Sequence, residues 1–181
     1  ISGLMAEIIQ NQAQLEIRRQ LLPQIARGER IIGLALTEPE TGSDAAALST
    51  TATRDGDSYV LNGSKSGISL AADADGFVVF AKTDPTRRAS GVTAFLVPAG
   101  TAGMSAQRFQ DMGGHAMGRG MLFFDGVRVP ASYRLGEEGT GFRSVMAGFD
   151  YSRVLIGLAC LGAARITLDE TAAYVKERKA F

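Results

Sequence analysis

Thr37-Glu38-Pro39-Glu40-Thr41-Gly42-Ser43-Asp44 follows directly on the apolar run Ile31-Ile32-Gly33-Leu34-Ala35-Leu36. The run reads as a buried strand. The octet is neither strand nor helix. Pro39 fixes its own φ and pushes Glu38 into an extended conformation, and Gly42 admits φ > 0 or a close backbone approach. Hydroxyls and free backbone N–H groups are left at the end of a strand, where they form a cradle for anions and heteroatoms. The same residues would serve equally as a plain polar turn between two strands.

Outward from the octet, the hydrophobic period separates three regions. Before it, residues 4–19 read as an amphipathic helix on Leu4, Ile8, Ile9, Leu15 and Ile17. Residues 21–28 read as a short second helix, with Pro23 in its first turn and Gly28 as its stop. From Ile31 to about Val129 the period is two, with strand-like runs near 31–36, 48–54, 58–62, 65–69, 76–82, 91–97, 105–109 and 121–129. Asp55-Gly56 and Asn62-Gly63 read as hairpin turns, and residues 84–90 as a polar loop. Many short strands with frequent turns predict a β-barrel or sandwich rather than a Rossmann unit. After Thr140, a candidate N-cap, three-and-four spacing continues from Phe142 to Phe181 and predicts a helix of about 40 residues, near 60 Å long. Such a helix needs partner helices to cover its apolar stripe. The fold class expected is therefore α+β, a central β-barrel or sandwich flanked by helical segments.

Composition narrows the function classes. With 45% apolar and 21% charged residues, the chain has ample core-forming material. Lys plus Arg and Asp plus Glu are each 19, so no net basic charge is available for nucleic acid. Cys160 is the one cysteine, which excludes an internal disulfide and suggests a reducing compartment. The sequence shows no uninterrupted apolar run of about 18 residues, so no membrane span is expected.

The octet resembles the T-E-P-x-x-G-S-D signature of the acyl-CoA dehydrogenase family. Four further blocks follow in the order and at about the spacing of that family: residues 55–65, residues 123–130, residues 136–142 and Glu177-Arg178-Lys179. The resemblance implies the end of a helical domain at 1–29, a middle β domain at 30–138 and the start of a C-terminal helical domain at 139–181. It also implies that the chain is part of a longer one.

By this resemblance the cofactor is FAD. Thr37 reaches the pyrimidine end of its ring, with backbone groups of Leu34 and Leu36 on the same edge. Gly42 and Ser43 meet the pyrophosphate, and Ser43 also lies near the acyl-CoA. Hydroxyl and N–H donors suit the negative charge that builds near N1 and O2 of a reduced flavin. Gly67-Ile68-Ser69 forms the next flavin contact. Ser69 keeps a hydroxyl for N5 and O4, but Gly67 stands where the family usually has an aromatic residue, commonly Trp. The open position suits a bulkier or cyclic acyl group, or is filled by another side chain. Arg178, with Phe181 beside it, matches an arginine that reaches the FAD pyrophosphate of a neighbouring subunit. Its neighbours Lys176 and Lys179 are expected to be solvated cations.

Asp150 and Arg153 stand three apart on the long helix, at positions that face acyl-CoA in the family. Without the resemblance they would be read as an intrahelical ion pair. Ser152 occupies a position where one subgroup carries its catalytic Glu, and Ser cannot be that base. The general base is therefore expected to be a Glu beyond Phe181. His115, Met117 and Arg119 replace the family's Arg, Ser and Thr. A lone His with no partner at ligand spacing predicts no metal site and a structural or surface role, and Arg119 is expected to make a plain salt bridge or else a phosphate or carboxylate contact.

The activity implied is oxidation of an acyl-CoA thioester to the 2,3-enoyl-CoA, with an electron-transferring flavoprotein as acceptor and a dimer-of-dimers assembly. The location implied is the cytoplasm or the mitochondrial matrix. Flavin oxidases and monooxygenases share the architecture, and an inactive interaction module is the remaining alternative.

Overall fold

The computed structural model describes residues 2–113 and 115–181 of the chain; for Ser2 and Tyr151 only the backbone is described. The chain divides into two compact units, Ile1–Val145 and Met146–Phe181.

The first unit opens with two helices, α1 (Ser2–Gln12) and α2 (Leu15–Ala26). The break falls at Ala13-Gln14, earlier than the sequence pattern predicts, and Gln14 has an extended backbone. Pro23 consequently lies inside α2 near its end rather than in a first turn. The N–H it lacks falls within the last turn and a half of the helix, where the chain is already closing. Gly28 stops α2 as expected: its N–H bonds the Ile25 carbonyl and that of Glu29 bonds Gln24, the paired bonds of a Schellman motif. Met5, Ile8 and Ile9 of α1 are fully or nearly fully buried.

Eight strands follow: β1 (Ile32–Ala35), β2 (Thr51–Asp55), β3 (Ser58–Ile68), β4 (Gly76–Lys82), β5 (Val92–Pro98), β6 (Met104–Arg108), β7 (Gly120–Pro130) and β8 (Arg134–Leu135). They form one open sheet in the order β6-β7-β3-β2-β4-β5-β8, with β1 on β4. The barrel expectation is thus corrected, because the sheet ends at β6 and β8 and does not close. Its two halves instead pack together around one core. Tyr59, Leu61, Leu122 and Phe124 from one half join Phe77, Val79, Phe95 and Val97 from the other. Tyr59 and Phe95 meet with ring centroids 4.9 Å apart.

The two strands expected at 58–62 and 65–69 are one strand. Asn62-Gly63 is not a hairpin turn but an irregularity within β3, where pairing to β7 shifts register between Leu61 and Gly63. The Asn62 side-chain oxygen accepts the Gly126 N–H at 2.8 Å instead of closing a turn. Asp55-Gly56 does turn the chain, between β2 and β3.

The join between the halves is narrow and fixes the site. β1 runs parallel to β4 from Gly76 to Val79, and β2 meets β4 only where Thr51 pairs Lys82. The octet is the detour the chain makes between these two positions on the same edge.

The third helix, α3 (Gly141–Glu177), spans 37 residues, about 55 Å. Thr140 precedes it as expected, but its hydroxyl donates to the Glu137 carbonyl at 2.7 Å rather than capping a helical N–H. Among the described residues α3 is the one helix long and apolar enough by length and composition to cross a membrane. In the second unit Val154, Leu158, Leu161, Ile166, Leu168 and Val175 are exposed.

Candidate functional site

β1 and the second half of β3 meet at the edge of β1 away from β4. The Ile31 carbonyl accepts the Asp75 N–H on the β4 side, whereas the Leu36 carbonyl accepts Lys65 Nζ on the other. Backbone direction alternates along a strand, so Leu34 and Leu36 present their polar groups to the edge away from β4. The Leu36 carbonyl is occupied by Lys65 at 3.0 Å, which leaves its N–H on that edge. One residue on, the Thr37 carbonyl accepts the Ser66 N–H at 2.9 Å. The octet and β3 are thereby stitched into one wall.

The stitching is held from below by a buried ion pair. Lys65 Nζ lies 2.8 Å from Glu38 Oε1, and both side chains are essentially inaccessible. Glu38 also accepts the backbone N–H and the hydroxyl of both Ser49 and Thr50, at 2.6–2.9 Å. Burial alone would raise the Glu38 carboxyl, but the Lys65 charge and these donors outweigh it and hold it at about 2. Burial pulls the Lys65 ammonium down to about 8, with Glu38 opposing the shift. Lys65 therefore remains charged at neutral pH. This pair is the part of the site that motif reading missed. The available signal was Lys65 itself, a charge on the same alternate positions of β3 as the buried Tyr59 and Leu61.

The predicted contact residues flank this pair along the chain. Thr37, Gly42 and Ser43 are exposed, and Ser69 is half-buried. Among the described residues the hydroxyls of Thr37, Ser43 and Ser69 have no protein hydrogen-bond partner. The Thr41 hydroxyl oxygen is buried and also has none. Glu38 and Thr41 exchange backbone bonds of 3.0 and 3.2 Å around Pro39-Glu40, which makes the octet a closed turn. Asp44 is tied at 2.5 Å to Arg88 of the β4–β5 loop.

At the far end of the wall, Ile68 is buried in the core, so only its backbone is available to a ligand. Gly67 has φ +69°, and a Cβ there would meet nothing within 4 Å. Between Lys65 and Ile68, β3 carries one more residue than β7 opposite. Gly67 is therefore a bulge residue in left-handed conformation, a backbone role in addition to the missing side chain.

The remaining predicted residues belong to α3, to the residues just past its end and to the β6–β7 connection. Asp150 and Arg153 pair at 3.0 Å on α3 with both side chains exposed, the simple ion-pair geometry. The Arg178 guanidinium donates to the Tyr174 hydroxyl at 3.2 Å, and Phe181 is fully exposed. All four belong to the second unit. His115 is exposed in a short 3-10 turn, and Arg119 pairs weakly with Asp111 at 4.0 Å. Among the described residues no group of three His, Cys, Asp or Glu side chains is placed to hold a metal.

The wall thus combines a free strand edge, unpaired hydroxyls, one buried orphan oxygen and a left-handed glycine. Such a surface fits a flat heteroaromatic ligand with ring acceptors and phosphate oxygens, the chemistry of a flavin dinucleotide.

Comparison with known proteins identifies the family. Residues 33–127 match the family model described as acyl-CoA dehydrogenase, middle domain, and residues 139–181 match acyl-CoA dehydrogenase, C-terminal domain. The mitochondrial short-chain specific acyl-CoA dehydrogenase of Mus musculus is 41% identical over 165 residues, 91% of this chain and 40% of that protein. The short-chain specific acyl-CoA dehydrogenase of Clostridium acetobutylicum is 38% identical over 99% of this chain and 48% of its own length. The structure of butyryl-CoA dehydrogenase from Megasphaera elsdenii superimposes with a TM-score of 0.93 at 35% identity, covering 99% of this chain and 47% of that one. The chain thus spans a little under half the length of these relatives.

Proposed function

The chain belongs to the acyl-CoA dehydrogenase family, and from that premise we propose that it supplies the flavin-facing β wall of an FAD-dependent acyl-CoA dehydrogenase. The observation that carries the proposal is the buried, partnerless Thr41 Oγ1 in the turn that follows β1, a strand with one edge unpaired.

FAD, when bound, supplies the acceptor for the hydride that leaves the β-carbon of an acyl-CoA. The chain's own residues would hold it. Thr37 and the backbone of Leu34 and Leu36 would donate to its pyrimidine atoms. Gly42 and Ser43 would take its pyrophosphate, and Ser69, next to the Gly67 bulge, would offer a further hydroxyl to the ring. These donors are fixed before the reaction by the Glu38–Lys65 support, so they need little reorganisation as charge develops. Asp150 and Arg153 exchange their ion pair for contacts with acyl-CoA, and Arg178 reaches a pyrophosphate across a subunit boundary. None of these groups is the base that removes the α-proton, a role we assign to a carboxylate beyond Phe181. Electrons pass on to an electron-transferring flavoprotein. The apolar positions of α3 are covered by helices of the family's C-terminal domain and of neighbouring subunits in a dimer of dimers. The cytoplasm or the mitochondrial matrix suits this chemistry.

Flavin titration tests the proposal. The intact protein is expected to take up FAD with visible absorbance, to be bleached anaerobically by a short-chain acyl-CoA, and to reoxidise slowly in air. A protein that stays colourless after incubation with FAD overturns it.

A further inference from the structure

Leu70 follows Ser69 directly and has φ +59°, the one non-glycine positive φ among the described residues. For a leucine this conformation is an outlier, because the Cβ crowds the backbone. It persists only where surroundings over-determine it. Here they do. The Leu70 N–H donates to the Met117 carbonyl at 2.7 Å, and the next N–H, from Ala71, donates to Gly118 at 3.3 Å. The Leu70 carbonyl accepts the N–H groups of Asp73 and Ala74, at 3.0 and 2.9 Å. Its side chain packs on the core.

These bonds bracket Ser69. Two residues before it the backbone turns left-handed at Gly67, and immediately after it the backbone turns left-handed again at Leu70. On the β1 side the Ser69 carbonyl lies 3.5 Å from where a Cβ on Gly33 would stand, so β1 closes on it at a residue without a side chain. A chain free to relax at Leu70 would leave the left-handed region and rotate the Ser69 peptide away from this arrangement.

We infer that Leu70 is a positioning residue for Ser69: its left-handed backbone, clasped by the Met117 carbonyl, fixes the Ser69 hydroxyl beside β1 and couples the His115–Arg119 loop to the proposed flavin wall. The inference deepens the proposed function and rests on Ser69 facing the cofactor. The strained residue is a leucine because its side chain anchors the corner in the core while the clasp holds the backbone.

Two substitutions separate backbone conformation from packing. Leu70→Val is β-branched and resists the left-handed region, whereas Leu70→Asn accepts it; both lose the leucine packing. Both variants are expected to melt at lower temperature than wild type. In a fluorescence titration with FAD, Leu70→Val should bind at least about tenfold more weakly and Leu70→Asn within about threefold of wild type. Affinity unchanged in Leu70→Val, or lost equally in both, overturns the inference. Amide hydrogen exchange without flavin gives a second readout: Ser69–Ala71 should exchange faster in Leu70→Val than in Leu70→Asn. Equal protection in the two variants overturns the positioning role whatever the flavin result. A wild type that binds no FAD while the exchange difference persists supports the corner and overturns the functional reading of the wall.

Discussion

Lys65 Nζ bonds both the Leu36 carbonyl, at 3.0 Å, and Glu38 Oε1, at 2.8 Å, so one buried ammonium ties the end of β1 to the turn that follows it. Removing it should leave the Glu38 carboxylate buried without its counter-charge. Lys65→Met is expected to lower the unfolding free energy of the first unit by about 3–5 kcal/mol in urea denaturation. Glu38→Gln/Lys65→Met should lose less than Lys65→Met alone, because the amide oxygen keeps an acceptor for Ser49 and Thr50. A double variant that loses the sum of both single effects contradicts the coupling.

The same carboxylate sets an acid limit. Folded, Glu38 stays ionised down to about 2, against an ordinary value of 4.5. Between those pH values the unfolded chain binds the proton and the folded chain does not. The Glu38 contribution is therefore present above about pH 4.5 and is lost as pH falls through about 2, roughly 3 kcal/mol in total. In Lys65→Met the onset of acid unfolding should move to higher pH, because burial then raises the carboxyl with no cation to oppose it. Circular dichroism melts across pH 2–7 read both effects.

Gly63 lies at the irregularity in β3 with φ +142°, and a Cβ there would stand 2.7 Å from the Thr50 hydroxyl oxygen. That hydroxyl bonds Glu38 at 2.6 Å. Gly63→Ala should destabilise the first unit by about 2–3 kcal/mol, through backbone strain plus displacement of Thr50. Loss of FAD affinity should accompany it, since Thr50 supports the turn carrying Thr37.

Gly67 separates bulk from backbone. Gly67→Ala carries the left-handed penalty of about 1–2 kcal/mol with little added volume. Gly67→Trp adds a ring into open space as well. If the gap accommodates branched or cyclic acyl groups, Gly67→Trp should cut turnover of those thioesters more than of straight ones, while Gly67→Ala lowers both alike. Equal losses in Gly67→Trp count against a substrate role for the gap.

Tyr59 joins the core to the approach of α3. Its ring packs on Phe95, and its hydroxyl donates to Glu138 and accepts from Arg134 Nη1 at 3.1 Å. Tyr59→Phe keeps the ring contact and removes both bonds, at a cost of about 1–2 kcal/mol in thermal melting. A stability unchanged from wild type would show that Arg134 and Glu138 re-pair without the phenol.

Much of this was legible in the residues. The β1 and β4 runs are apolar up to Lys82 at the end of β4, and such runs announce buried strands wherever they lie. The octet was recognisable because Pro39 and Gly42 constrain the backbone locally, and the long helix because its spacing persists for ten turns. Boundaries set by a single contact were not legible. The α1–α2 break falls at Gln14, where neither glycine nor proline marks it. Asn62-Gly63 carries a turn signal but lies inside β3, because pairing to β7 continues on both sides of it.

The sequence alone determined the strand and helix content, the family and the hydroxyl-rich octet, since each depends on local conformational preference or on an ordered set of motifs. Only the tertiary structure decided that the sheet stays open, that Lys65 reaches back across 27 residues to Glu38, and that Leu70 is held left-handed beside Ser69. These are contacts between segments far apart in the chain. They depend on which edges and carbonyls the packed halves bring together, and no local propensity encodes them.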